Sequence, residues 1–174
     1  MSRLRTANLL GALAGVVVER LEQRLKHHPN QTDSAAAALN VLTFWEGASN
    51  AELSKVLGLS HPATVRLVDK LEADGLVEAR PGRDRRAVAL HLTDAGRARV
   101  KGLLIDRCTA LAEVTGALSQ AEQDVLAGLL EKMLRQATTG VIEAAHICRL
   151  CDAVACPEDQ CPVHQKAVEV EAQA

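Results

Sequence analysis

Residues 50–96 read NAELSKVLGLSHPATVRLVDKLEADGLVEARPGRDRRAVALHLTDAG, and the order of signals in this stretch decides the fold. Asn50 is placed to cap a helix whose Leu53, Val56 and Leu57 share one face. Gly58 then supplies a sharp turn, because a residue without Cβ enters unusual backbone conformations freely. Ser60 caps the next helix, and Pro62 falls in its first turn, where a missing N–H leaves no helical bond unmade. Along that helix Val65, Val68 and Leu71 recur at spacing three and face the core. Pro62, Arg66 and Lys70, with Thr64 beside them, are left on the opposite face.

After Gly75-Leu76-Val77 the apolar period changes. Alternating residues lead to Arg80-Pro81-Gly82-Arg83-Asp84-Arg85-Arg86, and Val88, Leu90 and Leu92 alternate on the return. This is a two-stranded ribbon whose tip carries four arginines. Guanidinium groups at a hairpin tip are badly placed for a core, and they suit an arm reaching a minor groove, where negative potential attracts arginine. Helix, turn, helix and ribbon in this order is the layout of a winged helix-turn-helix, mainly α with a two-stranded β-wing, that docks on duplex DNA. Arg66 is assigned to base edges and Lys70 to phosphate, with Ser60, His61, Pro62 and Thr64 at the start of the reading helix. Arg83, Asp84, Arg85 and Arg86 form the wing tip.

The charge distribution agrees with that assignment, although the 174-residue chain carries a net charge of −2. From Arg80 to Arg107 there are eight Lys or Arg against three acids, and from Met1 to Asn30 five against two. From Glu113 onward ten acids face four bases, so one end of the chain is suited to phosphate and the other is not. Phe44 and Trp45 are the only aromatic residues, which argues against single-stranded nucleic acid, whose recognition needs stacking platforms. The longest early apolar run, Leu9 to Val18, is too short to span a bilayer, and charged residues follow it where a cleavage site would be needed. A cytoplasmic protein with no membrane partner is expected, in which cysteines serve as ligands or sensors rather than as disulfides.

The run from Leu57 to Gly96 resembles the MarR family of bacterial regulators, whose wing carries Asp-x-Arg before a strand ending Leu-Thr-x-x-Gly. Here these are Asp84, Arg86, Leu92, Thr93 and Gly96. The resemblance extends from about Leu4 to Ala145. It implies a triangular homodimer joined by its first and last helices, two reading heads on a palindromic site, and a repressor rather than an activator. By position, Arg86 is implied to be the minor-groove probe and Asp84 the residue that orients the wing.

The flanking segments supply helices for such a dimer. Leu4 to Lys26 carries Leu10, Leu13, Val17, Leu21 and Leu25 at helical spacing and ends at His27-His28-Pro29-Asn30. Thr32-Asp33-Ser34 caps an alanine-rich helix that runs to Gly47, with Leu39, Leu42 and Trp45 as core. Thr93 starts a long helix through Cys108, a small core residue, to about Thr115. Ser119 and Glu122 form a capping box for another helix, with Val125, Leu126, Leu129, Leu130, Met133 and Leu134. These helices hold more apolar surface than one wing domain buries, so a second copy of the chain is expected to cover it. The expected organisation is a dimerisation helix (1–30), the DNA-binding unit (31–96), dimerisation helices (97–145), a cysteine-rich metal-binding tail (146–165) and a disordered end (166–174).

The tail departs from the family pattern. Cys148, Cys151, Cys156 and Cys161 fall within fourteen residues, and Pro157 and Pro162 bend the chain after the last two. Four thiolates converging on one point meet the needs of tetrahedral zinc. An iron–sulfur cluster is chemically open as well, as are a Cys148/Cys151 redox pair and a tail of uncommitted thiols. His146 and His164 are reserve ligands or solvent-exposed side chains.

Two functions follow from these readings. One is a dimeric DNA-binding regulator modulated by a small-molecule effector or by the state of the cysteines. The other is a thiol oxidoreductase using Cys148 and Cys151. The second lacks the βαβ setting of a thioredoxin-like site, a phosphate-binding loop and a nucleophile elbow, so a non-enzymatic role is expected.

Overall fold

The helices of the reading unit begin where a side-chain oxygen meets an amide that the helix itself leaves unpaired. The computed structural model describes residues 2–26, 33–82 and 88–173. It contains α1 (Arg3–Leu25), α2 (Asp33–Phe44), α3 (Asn50–Leu57), α4 (His61–Ala73), β1 (Val77–Pro81), β2 (Val88–Leu92), α5 (Asp94–Thr115), α6 (Gln120–Ala137), α7 (Val141–Cys148) and α8 (Pro162–Glu171). The expected winged helix-turn-helix is present in the expected order.

The cap of α3 is Ser49 rather than Asn50. Ser49 Oγ accepts from the Glu52 amide at 3.2 Å, and Glu52 Oε2 accepts from the Ser49 amide at 2.8 Å. A reciprocal box needs an acid three residues after the cap, and only Ser49 has one. Gly58 turns the chain with φ 65°, and Ser60 caps α4 by accepting from the Ala63 amide at 3.4 Å.

The helix α2 is buried continuously from Ala35 to Leu42 and forms the centre of the core. Its alanines let α3, α5 and β2 approach closely. The strands β1 and β2 are antiparallel, with Val77 opposite Leu92 and Pro81 opposite Val88. Val77, Leu90 and Leu92 point inward. The outer edge of β2 is paired too: the Gly47 amide donates to Leu90 O at 2.9 Å and the Leu90 amide to Ala48 O at 3.0 Å. The wing is thereby hydrogen-bonded to the loop that leads into α3.

Thr93 and Gly96 join the ribbon to α5. The Thr93 hydroxyl donates to Gly75 O at 2.7 Å and accepts from the Gly96 amide at 3.0 Å. A Cβ on Gly96 would lie 2.1 Å from Leu76 O, so no other residue fits there without moving backbone.

Neither α1 nor α6 buries a residue within the chain. The helix α1 is fastened to α5 by Arg20 and Arg24, which both pair with Glu113. Leu9, Leu10, Leu13 and Val16 on α1 remain exposed, as do Val125, Leu129, Leu130 and Met133 on α6. The capping box of α6 is formed as expected, with Ser119 N donating to Glu122 Oε2 at 2.9 Å. Cys108, read as a core residue, is exposed in the single chain, because it lies on the side of α5 turned away from Leu103 and Ala110.

The end of the chain differs from expectation. Residues 166–171 are not disordered but continue α8, whose Val163 and Ala167 are buried against α7 together with Ala144 and Cys161. Arg135 of α6 pairs with Glu169 at 2.5 Å and fixes the helix from the other side. Only two buried side chains hold α8, too few to make a periodic pattern in a short segment. The boundaries expected at 96/97 and 145/146 fall inside α5 and α7, since both helices are continuous there. Among the described residues, no helix is long and apolar enough to cross a membrane.

Candidate nucleic-acid interface and cysteine pocket

The exposed face of α4 carries Pro62, Arg66, Asp69 and Lys70, with Ser60 and His61 at its start. Pro62, Arg66 and Lys70 are one turn apart and line up along the helix, as a groove-reading face requires. Ser60 has a second task, because its Oγ caps the helix. Thr64 is not on this face. It is fully buried, and its hydroxyl donates to Ser60 O at 3.2 Å. The inward stripe of α4 is Thr64, Val68 and Leu71, a spacing of four and three that follows the helix better than the spacing of three used to place Val65. Val65 is half-buried. In the wing, Arg80 pairs with Glu78 on its own strand. Arg83, Asp84, Arg85 and Arg86 lie outside the described residues.

The four cysteines of the tail all line one cavity of about 390 Å³. Cys148 ends α7, Cys161 is buried at the start of α8, and Cys151 and Cys156 lie on the loop between them. Phe44 and Trp45, at the end of α2, form part of the same wall. Cys148 lies near enough to Cys151 and Cys161, and Cys156 to Cys161, for each to alter its neighbour's ionisation. The Cys148–Cys151 pair gives up one proton readily and holds the other. Hydrogen bonding to Cys148, aided by the charges of Arg107 and Arg149 against the effect of burial, lowers Cys151 to about 6. The same contact, then burial, pushes Cys148 well up. Burial and the neighbouring Cys161 raise Cys156 to about 11.

Asn40, which has no role in the sequence analysis, and His146, read there as a reserve ligand or solvent-exposed side chain, attach this pocket to the reading unit. Asn40, buried within α2, donates from Nδ2 to Arg149 O at 3.1 Å and to Cys151 O at 3.0 Å. An amide in the middle of an Ala/Leu run was the available signal, since a buried polar group must find partners. His146 is half-buried rather than solvent-exposed, and its Nδ1 lies 2.7 Å from Val56 O. Facing a carbonyl, that nitrogen carries the proton and donates. His146 is therefore committed to α3, and only His164 stays at the cavity as a reserve ligand.

Comparison with known proteins agrees with this architecture. The MarR family profile matches residues 32–87. The chain is 35% identical over 85 residues to the transcriptional repressor MprA of Escherichia coli (strain K12), a match covering 48% of each protein. It thus spans about half the length of the curated relatives it matches. Among solved structures, a MarR family protein from Bacillus stearothermophilus superposes with a TM-score of 0.69 at 27% identity, covering 78% of this chain and 97% of that one. A Mycobacterium tuberculosis MarR family protein in complex with DNA gives 0.62 at 26% identity, covering 73% and 95%. With the helix order, paired wing and Thr93–Gly96 junction already described, these similarities show that the chain has the fold of MarR family structures and that residues 32–87 match that family's profile.

Proposed function

We propose that this protein is a dimeric transcriptional regulator, a repressor by its likeness to MprA, that reads a palindromic duplex operator in the cytoplasm. The observation carrying the reading is the exposed Pro62/Arg66/Lys70 face of α4, set beside a wing that is hydrogen-bonded to the α3 loop. The structural similarity to a family member in complex with DNA supports it. Arg66 reads base edges, Lys70 meets phosphate, Ser60, His61 and Pro62 approach the backbone, and Arg83 to Arg86 reach the minor groove. The apolar faces of α1 and α6 provide the surface that a second copy covers. A small-molecule effector or the state of the cysteines sets affinity by shifting the spacing of the two heads.

The oxidoreductase alternative is not favoured. Cys148 closes α7 instead of opening a helix after a strand, so its thiolate lacks the helix N-terminus that activates such sites.

The test is selection of a bound duplex from a random pool, followed by fluorescence anisotropy across a salt series. Expected are a palindromic consensus and an affinity falling log-linearly with salt, with a slope of about −0.9 for each phosphate neutralised. Failure to enrich any sequence would refute the reading. Arg66→Ala should flatten discrimination between the selected duplex and its variants, by about 1–3 kcal/mol at the base it reads.

A further inference from the structure

Three of the turns in the loop between Cys148 and Cys161 end on a cysteine amide. Cys151 N–H donates to Cys148 O at 2.8 Å, Cys156 N–H to Asp152 O at 2.9 Å and Cys161 N–H to Glu158 O at 3.2 Å. The turns return all four cysteines to the lining of one cavity. Cys148, Cys151, Cys156 and Cys161 thus share one cavity, with His164 beside them. Among the described residues, no group of three or more His, Cys, Asp or Glu side chains is already arranged to hold a metal ion.

We propose that a thiophilic divalent cation of the zinc type gathers the cysteines of this cavity into a four-thiolate site formed by Cys148, Cys151, Cys156 and Cys161. Zinc–sulfur bonds of about 2.3 Å place tetrahedral sulfurs roughly 3.8 Å apart, so binding draws the four side chains together across the cavity they share. Each ligating thiol releases its proton to solvent as the bond to the ion forms, with no change of oxidation state. Four thiolates around a divalent ion leave excess negative charge. Arg107 of α5 and Arg149, whose charges already act on Cys151, offset it.

Metal loading bears on the reading unit through backbone. The same loop is held by Asn40 through Arg149 O and Cys151 O, and α7 is held to α3 through His146 and Val56 O. A loop closed around an ion stiffens the support of α3, so occupancy strengthens DNA binding. This second clause rests on the DNA-binding reading above.

The experiment uses the full chain, reduced and stripped of metal, titrated with zinc chloride against a chromophoric chelator, with cobalt as a spectroscopic substitute. Expected are one zinc per chain, proton release on binding, protection of four thiols from alkylation with Cys108 left reactive, and a cobalt spectrum of tetrahedral thiolate type. Cys156→Ser, at an exposed position that the fold does not need, should lose at least tenfold in zinc affinity, and Cys108→Ser should lose none. No zinc uptake, or full uptake by a Cys151→Ser/Cys156→Ser double variant, overturns the site. Iron with acid-labile sulfide in protein purified without oxygen overturns the single ion in favour of a cluster. For the second clause, affinity for the selected duplex should fall several-fold on zinc removal. Equal affinity with and without zinc overturns the coupling, whereas absence of DNA binding in both forms overturns the regulator reading and leaves the metal result standing.

Discussion

His146 Nδ1 lies 2.7 Å from the carbonyl oxygen of Val56, and this contact caps the C-terminus of α3 from outside the DNA-reading unit. At that end Gly58 and Leu59 amides satisfy the carbonyls of Lys55 and Ser54, and the Val56 carbonyl turns to the imidazole instead. The cysteine segment is thus part of the structure that holds α3, the helix that positions α4. His146→Ala should destabilise the protein by about 1–2 kcal/mol, the net value of the bond plus part of the cost of an unpaired carbonyl. Urea denaturation measures the loss, and hydrogen exchange should show faster opening at Gly58 and Leu59. Unchanged exchange there would separate His146 from the support of α3.

Gly96→Ala should be among the most damaging single-methyl changes available. Its new carbon would meet Leu76 O at 2.1 Å, and relief requires moving either α5 or the turn after α4. A loss of at least about 2 kcal/mol is expected in thermal or urea unfolding, at the upper end of the usual range for overpacking. A change below about 0.5 kcal/mol would mean that this junction is looser than described.

Thr64→Val separates core from interface. The residue is buried, and Ser60 O keeps a partner in the Thr64 amide at 3.0 Å after the hydroxyl is lost. Stability should therefore change by no more than about 1 kcal/mol, and affinity for the selected duplex should stay within about twofold. A tenfold loss of affinity in anisotropy measurements, with stability intact, would return Thr64 to the DNA face.

Glu52 gives the reading unit a pH dependence. The backbone amide and then the hydroxyl of Ser49 hold its carboxyl below the usual value of 4.5. A depressed pKa in the folded state means that the contribution is fully present above the unfolded value and is lost as pH falls through the folded one. Glu52→Ala should cost about 1 kcal/mol at neutral pH, and the gap from the wild-type chain should close on acidification below pH 4.5. A gap independent of pH in paired urea titrations would show that the carboxylate is not the group responsible.

Leu129 is 56% exposed on α6, and Leu10 is 46% exposed on α1. A charge placed at either position meets water in the single chain and a partner's apolar surface in the proposed dimer. Leu10→Glu and Leu129→Glu should each shift sedimentation toward monomer by weakening association at least tenfold, while the far-ultraviolet dichroism of the chain stays helical. Retention of a wild-type dimer by both variants would place the interface elsewhere.

The order of elements was legible from sequence because it is encoded by short-range signals. Gly58, Ser60, Pro62 and the Ser119/Glu122 box act within four residues of themselves, and the change from helical to alternating period at Val77 needs no tertiary partner. The exposed apolar stripes of α1 and α6 were readable for the same reason. Thr64 was misplaced because a helix face assigned by a spacing of three drifts away from the true 3.6 period, and burial alone shows which stripe faces inward. The helix α8, the role of Asn40 and the attachment of His146 to Val56 depend on residues separated by up to 111 positions, and no local pattern encodes such pairings. The spacing of four cysteines along the chain marked a candidate site, and only the packing of α7 on α3 and of the following loop on Asn40 of α2 joined the cysteine cavity to the helices that position α4.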